Sequence, residues 1–537
     1  MNARRWDLLP ARFPLWIALS FLAAFVLVPL CMLAAETVLG PEGLTLAAWR
    51  ALAHDENALA QLFASLRLGL CATLLSLLLG GGHAWVTVAR DLPGALWIAP
   101  LGIAPLVVPP IFIAMGFADL FDVAGFWPCA VLLGIAHAPF VAVLAGRGLR
   151  SVDGRAYESA WLLRGRARAE LWLLRAIAPE LLAGCLLAFL FTVADHGVPE
   201  FLTVKGKTWH TYAEGLFSRW NRRAVGTTFA ELQSPIVAAL PFLACLGCLL
   251  WAALRLRAAA PDRGVVQPLP VRPLGAFRWP ALLVPALYLG AGIAVPVVVL
   301  ARWVLGSAQQ AEPMSLQFAQ QSFAKAMDQG LPQLLNSMWL ALGVAVVVVL
   351  LALPLARQSA RRWPALDVLC ALPAAIPAIL LGIGLVHSFH DSELLRSLGG
   401  DFYAGWGFAV CGYAARFLPF AALTLATQVR RQPVAADEAA ALVGRSPLAR
   451  ALRIHLPPLL PATWSAGVLV FVLSLRELDL AVVLPAANAT AVRRLANAVH
   501  FQHEDWSGVI ALLLLCLAVL VPLLPSVLAG RRLSSLS

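Results

Sequence analysis

Charge is what this 537-residue chain has least of: 13% of its residues are Asp, Glu, Lys or Arg, against about 25% in a soluble domain, while 61% are hydrophobic. A chain so poor in charge cannot cover a water-facing globule, which excludes an ordinary soluble protein. No basic domain can be separated from the apolar runs, so the net charge of +11 does not signify nucleic-acid binding. Clustered cysteine is missing as well. The nine Cys (31, 71, 129, 185, 245, 248, 370, 411 and 516) are scattered, most of them within apolar runs where Cys acts as a small hydrophobe. Cys245 and Cys248 form a C-x-x-C without a nearby His or Cys to complete a zinc or redox site. A phosphate loop is absent too. Gly206-Lys207-Thr208 mimics its end, but Phe201 stands where the first Gly is required and no strand precedes it. With no metal or nucleophile constellation, a membrane-embedded enzyme is disfavoured.

What the chain does have is a succession of apolar runs of about 20 residues, the length at which a helix spans a bilayer core. They predict an all-α polytopic membrane protein with about twelve transmembrane helices. Spans are expected near 14–35, 63–88, 93–118, 125–147, 180–203 and 234–254, and again near 280–305, 334–356, 365–388, 404–428, 460–485 and 507–530. The 18 Trp suit membrane interfaces. Arg4, Arg5 and Arg12 precede the first run as in a signal peptide. That run, Pro14 to Ala35, is longer than a signal's apolar core of about 7–15 residues, so it reads as a retained first helix.

The two sets of six spans read as tandem repeats, 1–254 and 280–537, joined by a Pro/Arg-rich stretch, 255–279, whose composition suits an extended cytoplasmic linker. Parallel repeats of this kind build a pseudo-twofold pathway from one polypeptide. Arg-dense segments (147–175, the linker, 357–362, 430–453 and Arg531-Arg532) orient the chain with both termini in the cytoplasm, while 36–62, with Glu36, Glu42, Asp55 and Glu56, falls outside. The exception is 204–233, where Lys205, Lys207, Arg219, Arg222 and Arg223 would also face out.

One loop occurs twice. In the second repeat Glu438-Ala439-Ala440 is followed by Gly444, Ile454 and Leu456-Pro457; in the first, Glu158-Ser159-Ala160 is followed by Gly165, Ile177 and Pro179. Each is a basic, helix-compatible insertion between spans. The small Ala439 and Ala440 permit close approach of another surface, and Gly444 allows a sharp change of backbone direction. Pro457, Pro458 and Pro461 are expected to stop the helix before the next span. Glu438, near the helix start, favours the helix dipole and offers a carboxylate to a partner's Arg.

This spacing resembles the EAA loop of binding-protein-dependent ABC importer permeases, and the second copy matches it at every element. The lead-in Gly148-Leu149-Arg150-Ser151-Val152-Asp153 is also typical of that family. The first copy departs from it: Arg164 stands at the Gly position with Gly165 one residue late, and Pro179 follows Glu158 by 21 residues rather than 19. The resemblance implies that each loop docks on a homodimeric ATP-hydrolysing subunit, with Glu158 and Glu438 facing that partner. ATP and magnesium would then belong to the partner, leaving this chain without a cofactor, a metal site or catalysis of its own. It further implies a periplasmic or surface-tethered solute-binding protein and residence in a bacterial cytoplasmic membrane. The tandem layout most resembles ferric-iron permeases, then thiamine permeases. Polyamine and phosphonate permeases share the second-half motifs.

Ionisable residues lie toward the outer end of the span after each loop: Asp195, His196 and Glu200 in the first repeat, Arg476, Glu477 and Asp479 in the second. Charge at membrane depth is costly and commonly faces a cavity or a partner. Two readings stand side by side, residues flanking a translocation path, or a structural bridge from Arg476 to Glu477 or Asp479. Histidines 387, 390, 500 and 503 are expected to be interfacial or solvated. A secondary transporter driven by an ion gradient is the alternative class, but it has no need of a repeated Glu-Ala-Ala loop.

Overall fold

The structure, a computed structural model, describes residues 9–40, 43–202, 209–223, 235–240, 243–244, 246–248, 251–252, 267–306, 314–361, 363–391, 397, 402–432, 434–444, 446–485, 489–501 and 506–534. Cys245, the 206–208 tripeptide, His503 and much of the 234–254 span lie outside these residues. The principal helices of the first repeat are α1 (Phe13–Glu36), α2 (Glu56–Val88), α3 (Ala95–Val107), α4 (Pro110–Phe121), α5 (Phe126–Ser151), α6 (Gly154–Arg164), α7 (Arg166–Ala194), α8 (Gly197–Phe201) and α9 (Tyr212–Arg223). The second repeat supplies α10 (Pro280–Leu305), α11 (Leu316–Arg361), α12 (Leu366–Ala375), α13 (Ala378–Val386), α14 (Trp406–Arg431), α15 (Val434–Leu442), α16 (Leu456–Leu475), α17 (Asp479–Val483), α18 (Ala491–Phe501) and α19 (Ser507–Ser534). Among the described residues, eight helices are long and apolar enough to cross a membrane, or ten if two bent pairs each count as one. The chain is an all-α, multi-pass membrane protein.

The bent pairs correct two of the expected spans. Residues 93–118 and 365–388 are not continuous helices: α3 and α4 meet at 91°, and the α12 and α13 segments at 93°. Proline is the cause in both. Val108 precedes Pro109 and Ile376 precedes Pro377, and the ring of each proline drives the residue before it out of the helical region. Val108 sits at φ −81°, ψ 120° and Ile376 at φ −94°, ψ 127°. The first helix of each repeat carries a second proline device. Pro29 and Pro296 each follow a π-helical turn, Ala23–Leu27 and Gly290–Ala294. The wider turn accommodates a ring that would otherwise strike the carbonyl four residues back.

The chain divides into two compact units. One contains 1–48, 329–494 and 513–537, the other 49–328 and 495–512. Within the first unit, α1 packs on α13: a Cβ placed on Gly384 would lie 3.0 Å from Leu33 and 3.2 Å from the Pro29 ring. Within the second, α10 packs on α4 in the same manner, since a Cβ on Gly116 would lie 3.2 Å from Pro296 Cα. α1 is thus built into the unit that holds 329–494, and α10 into the unit that holds 49–328. Helices α5 and α14 are the enclosed members of their units, whereas α2 leaves Leu70, Leu74 and Leu78 exposed at a spacing of four. Such a stripe is a lipid-facing surface.

Of the basic 204–233 stretch, residues 209–223 are described and contain the short helix α9. Both Nη atoms of Arg219 are 3.2 Å from Asp55 Oδ2, and the Asp55 Oδ1 caps α2 by accepting from the Ala58 N–H at 3.0 Å. α9 therefore lies beside Asp55, at the start of α2. The Tyr212 N–H donates to Ser65 Oγ at 2.7 Å, and burial raises the Tyr212 pKa above its usual value. In the other unit the Ala491 N–H donates to Ser337 Oγ at 2.8 Å, the same attachment at the equivalent place.

Candidate functional site

The two Glu-Ala-Ala segments are both short surface helices. In α6 the Asp153 Oδ1 accepts from the Arg155 N–H at 3.2 Å, which caps the first turn. Tyr157 is buried beneath it. Glu158 and Ser159 are exposed and Ala160 is half-buried. In α15, Glu438 and Ala439 are exposed and Ala440 is half-buried. Each helix then presents a pair of large apolar residues to the outside: Leu162 and Leu163 at 85% and 83% exposure, Leu442 and Val443 at 89% and 77%. Each short helix thus carries two exposed large apolar side chains close to an exposed carboxylate.

Both helices end on a glycine at positive φ, Gly165 at φ 77° and Gly444 at φ 74°. The displaced Gly165 has ψ 167°, an extended conformation at positive φ that favours glycine, and the displacement lengthens the helix: α6 has 11 residues and α15 has nine. Beyond the glycine the two loops diverge. After Gly165, α7 runs unbroken for 29 residues through Pro179, with Ile177 buried on its inner face. After Gly444 comes a short helix, Pro447–Arg450, then a π turn, Ala451–His455, containing the half-buried Ile454, and then α16. Pro457, Pro458 and Pro461 do not stop the helix as expected. Pro457 and Pro458 fall in the first turn of α16 and Pro461 inside it, and the π turn ahead of them absorbs the lost hydrogen bonds.

The charged residues beyond the loops also form a repeated structure. α7 ends at Ala194, and the Asp195 Oδ1 accepts from the Val198 N–H at 2.9 Å to cap the five-residue α8. α16 ends at Leu475, and the Glu477 Oε1 accepts from the Leu480 N–H at 3.2 Å to cap the five-residue α17. Both carboxylates therefore sit in a break after a span, not inside its outer turn, and each satisfies backbone donors that the break exposes. His196 is buried, 3.9 Å from Glu200 and with its ring 4.6 Å from that of Phe217. Arg476 and Glu477 are buried, Asp479 is half-buried, and Arg476, Asp479 and Arg416 all lie within electrostatic reach of Glu477.

Arg416 is the residue that sequence reasoning passed over. It lies in the middle of α14, 3% exposed, and its Nη1 donates to the carbonyls of Pro373 at 3.3 Å and Ile376 at 2.5 Å. Both carbonyls lie where α12 breaks, the Pro373 carbonyl also accepting the Ile376 N–H at 3.4 Å, so the guanidinium stabilises the break. An arginine alone in the middle of an apolar run was the available signal. In the other unit the buried polar residue of the corresponding helix is His137 of α5, whose Nδ1 lies 3.0 Å from Thr192 Oγ1. His387 departs from the expected solvated position: it is buried, 3.5 Å from Glu36 Oε1, whereas His390 is exposed. Among the described residues no group of three or more His, Cys, Asp or Glu could hold a metal ion.

No family model matches the chain. It is 23% identical over 516 residues to the Fe(3+)-transport system permease protein FbpB 2 of Haemophilus influenzae, an alignment covering 93% of this chain and 94% of that protein. It is 32% identical over 171 residues to a Streptomyces antibioticus protein described provisionally as an ABC transporter permease, covering 31% of this chain and 68% of that relative.

Proposed function

Since the chain belongs to the ABC transporter permeases, we propose that it is the fused, two-lobed membrane subunit of an importer in a bacterial inner membrane, driven by ATP hydrolysed on a separate homodimeric subunit. The observation that carries this reading is the pair of α6 and α15 surfaces, each with an exposed glutamate, a small-residue step and two exposed apolar side chains ahead of a glycine at positive φ. Two such surfaces suit a partner with two equivalent grooves. Docking would bury the leucines and pair Glu158 and Glu438 with basic residues of the partner. The loops and both termini then face the cytoplasm. α9 and the acidic 36–62 segment face outside, where a solute-binding protein delivers cargo. ATP and magnesium stay on the partner, and this chain supplies coupling and the path.

The path residues in this reading are Asp195 and His196 in one unit and Arg476, Glu477 and Asp479 in the other. Placing charge in helix breaks keeps it available to a water-filled cavity during alternating access. Ferric iron is the proposed cargo, supported by the description of the Haemophilus relative and by an alignment over nearly all of both chains. Iron enters here as cargo, released by the binding protein and held by the path only transiently.

Reconstitution with the ATPase subunit and binding protein tests the proposal. Uptake of iron into proteoliposomes should require ATP and the ATPase subunit and should survive an uncoupler. Glu438→Lys should reduce uptake per ATP more severely than Glu158→Lys, the first loop being the more divergent copy. Full ATP-driven uptake in both variants would remove the docking role, and loss of uptake on adding an uncoupler would move the chain to the gradient-driven carriers.

A further inference from the structure

The Pro/Arg-rich stretch between the repeats does something other than connect them. Its described part, residues 267–278, lies hydrogen-bonded along the base of the first Glu-Ala-Ala loop, within one compact unit. The Gly154 N–H, at the start of α6, donates to the Gln267 carbonyl at 3.0 Å, and the Gln267 N–H donates to Asp153 Oδ1 at 3.3 Å. A Cβ on Gly154 would stand 2.4 Å from the Pro268 carbonyl oxygen, so only glycine admits the strand at this distance. Further along, Arg90 and Arg272 form a parallel bridge, with the Arg272 N–H on the Ala89 carbonyl at 3.4 Å and the Asp91 N–H on the Arg272 carbonyl at 3.2 Å. The Leu274 N–H donates to Asp91 Oδ1 at 2.6 Å, and the Arg278 Nε to the Asp91 carbonyl at 3.0 Å.

Arg272 joins the pieces. It is 6% exposed, and its guanidinium stacks over Trp85 at 5.1 Å and over Tyr157 at 5.0 Å. Its Nε donates to the Ala89 carbonyl at 3.2 Å, and its Nη1 donates to the Tyr157 hydroxyl at 3.4 Å and to Glu170 Oε2. The Tyr157 hydroxyl in turn donates to Glu170 Oε1 at 3.2 Å, and Arg90 reaches the same oxygen at 3.2 Å. Two cations thus share one carboxylate. Burial, and next the Arg272 charge, lower the Arg90 pKa from its usual value while Glu170 opposes the shift. Tyr157 is the residue immediately before Glu158, and Glu170 lies on α7. The network therefore fixes the helix that carries Glu158 against the span that comes after it and against the end of α2. The second loop has no acidic residue between Gly444 and Pro457 and carries Val434 at the place of Gly154, so it cannot repeat this arrangement.

We infer that residues 267–278 are a strap for the first coupling loop and that Arg272 is a positioning residue, transmitting motion of α6 to α7 and α2 through Tyr157 and Glu170. The inference rests on the coupling role proposed for α6 and α15. It accounts for how a loop that departs from the family spacing is kept rigid enough to couple: its support comes from the connecting segment.

The test uses the reconstituted importer with its ATPase subunit and binding protein, read as iron taken up per ATP hydrolysed. Arg272→Ala should lower that ratio by about tenfold, within the range of ordinary coupling free energies. Arg272→Lys should recover part of it, because the charge remains while the planar fork and stacking are lost. The distinguishing readout is a pair of double variants. Added to Glu158→Lys, Arg272→Ala should have little further effect, whereas added to Glu438→Lys it should act in full. A normal ratio in Arg272→Ala, or the same further loss in both backgrounds, overturns the strap. If Arg272→Ala does not assemble, Arg272→Lys carries the same pair of comparisons. Should neither Glu158→Lys nor Glu438→Lys alter coupling, it is the docking role that fails, and an Arg272→Ala defect in that case would contradict action through α6.

Discussion

The Glu158-Ser159-Ala160 and Glu438-Ala439-Ala440 loops each follow a short helix with a glycine at positive φ, on different supports. Gly165 and Gly444 differ by 3° in φ (77° against 74°), yet the residues bracing them are unrelated. The first is clamped by a buried aromatic and ionic cluster of Trp85, Arg90, Tyr157, Glu170 and Arg272. Around the second, the Arg361 Nη2 donates to the Gln432 carbonyl at 3.0 Å and the Gln432 side-chain amide to the His455 carbonyl at 2.9 Å. Close by, Arg430 bonds both Ser359 and Asp367. The lesson is that two copies of one motif can be braced by unrelated side chains. The first bracing depends on a paired buried charge, which is fragile because removing one member strands the other.

The same contrast holds at the buried polar residues of α14 and α5, and there the largest difference is expected. Arg416→Leu should cost about 3–5 kcal/mol, the usual result of breaking a buried charged network. His137→Leu, which removes a single hydrogen-bond contact to Thr192, should cost about 1 kcal/mol. Thermal unfolding of the purified protein followed by tryptophan fluorescence compares them, and equal shifts would mean that the two units are braced alike. Next in size, Gly154→Ala should cost about 1–3 kcal/mol by forcing a Cβ against the Pro268 carbonyl. Limited proteolysis should then cut between 255 and 279 more readily, while Val434→Ala leaves the digestion pattern unchanged. The smallest effect sharpens the comparison from the other side. Gly165→Ala should cost about 1–3 kcal/mol for an extended backbone at positive φ, and Gly444→Ala about 1 kcal/mol. A Gly165→Ala variant as stable as the parent would show that the displaced glycine is not held at positive φ.

Much of the architecture was legible from composition alone, because a bilayer leaves so few ways to satisfy the backbone. The runs at 14–35, 125–147, 280–305 and 404–428 became α1, α5, α10 and α14 with ends within a few residues of expectation. The bends in 93–118 and 365–388 were visible in principle at Pro109, Pro110 and Pro377, but hydropathy averages over a window and does not register a turn of direction. Prolines misled in the opposite sense at Pro457 to Pro461, where a π turn let the helix continue. The repeated loop was readable because its spacing is local. Arg272 against Glu170 was not, since no local spacing relates residues 102 positions apart. Nor was the division into compact units, which depends on which spans touch rather than on their order in the chain. The pairing of Asp195 with Glu477 as caps of short helices was half visible: their matching positions suggested a common role, and the hydrogen bonds to Val198 and Leu480 gave it a form.

The packing of Pro29 on Gly384 has a consequence for how the protein is made. The helix that α1 packs against leaves the ribosome roughly 350 residues after it, a delay of about 20–70 s at ordinary rates of synthesis. In water an apolar helix waiting that long with a bare face would aggregate. In a bilayer, lipid covers that face at almost no cost until α13 arrives, because lipid tails are as apolar as the side chains they replace. A lobe that must borrow its opening helix from the far end of the chain is therefore a plan suited to insertion into a membrane, and cutting the chain at 255–279 would leave each piece without a helix that the other carries.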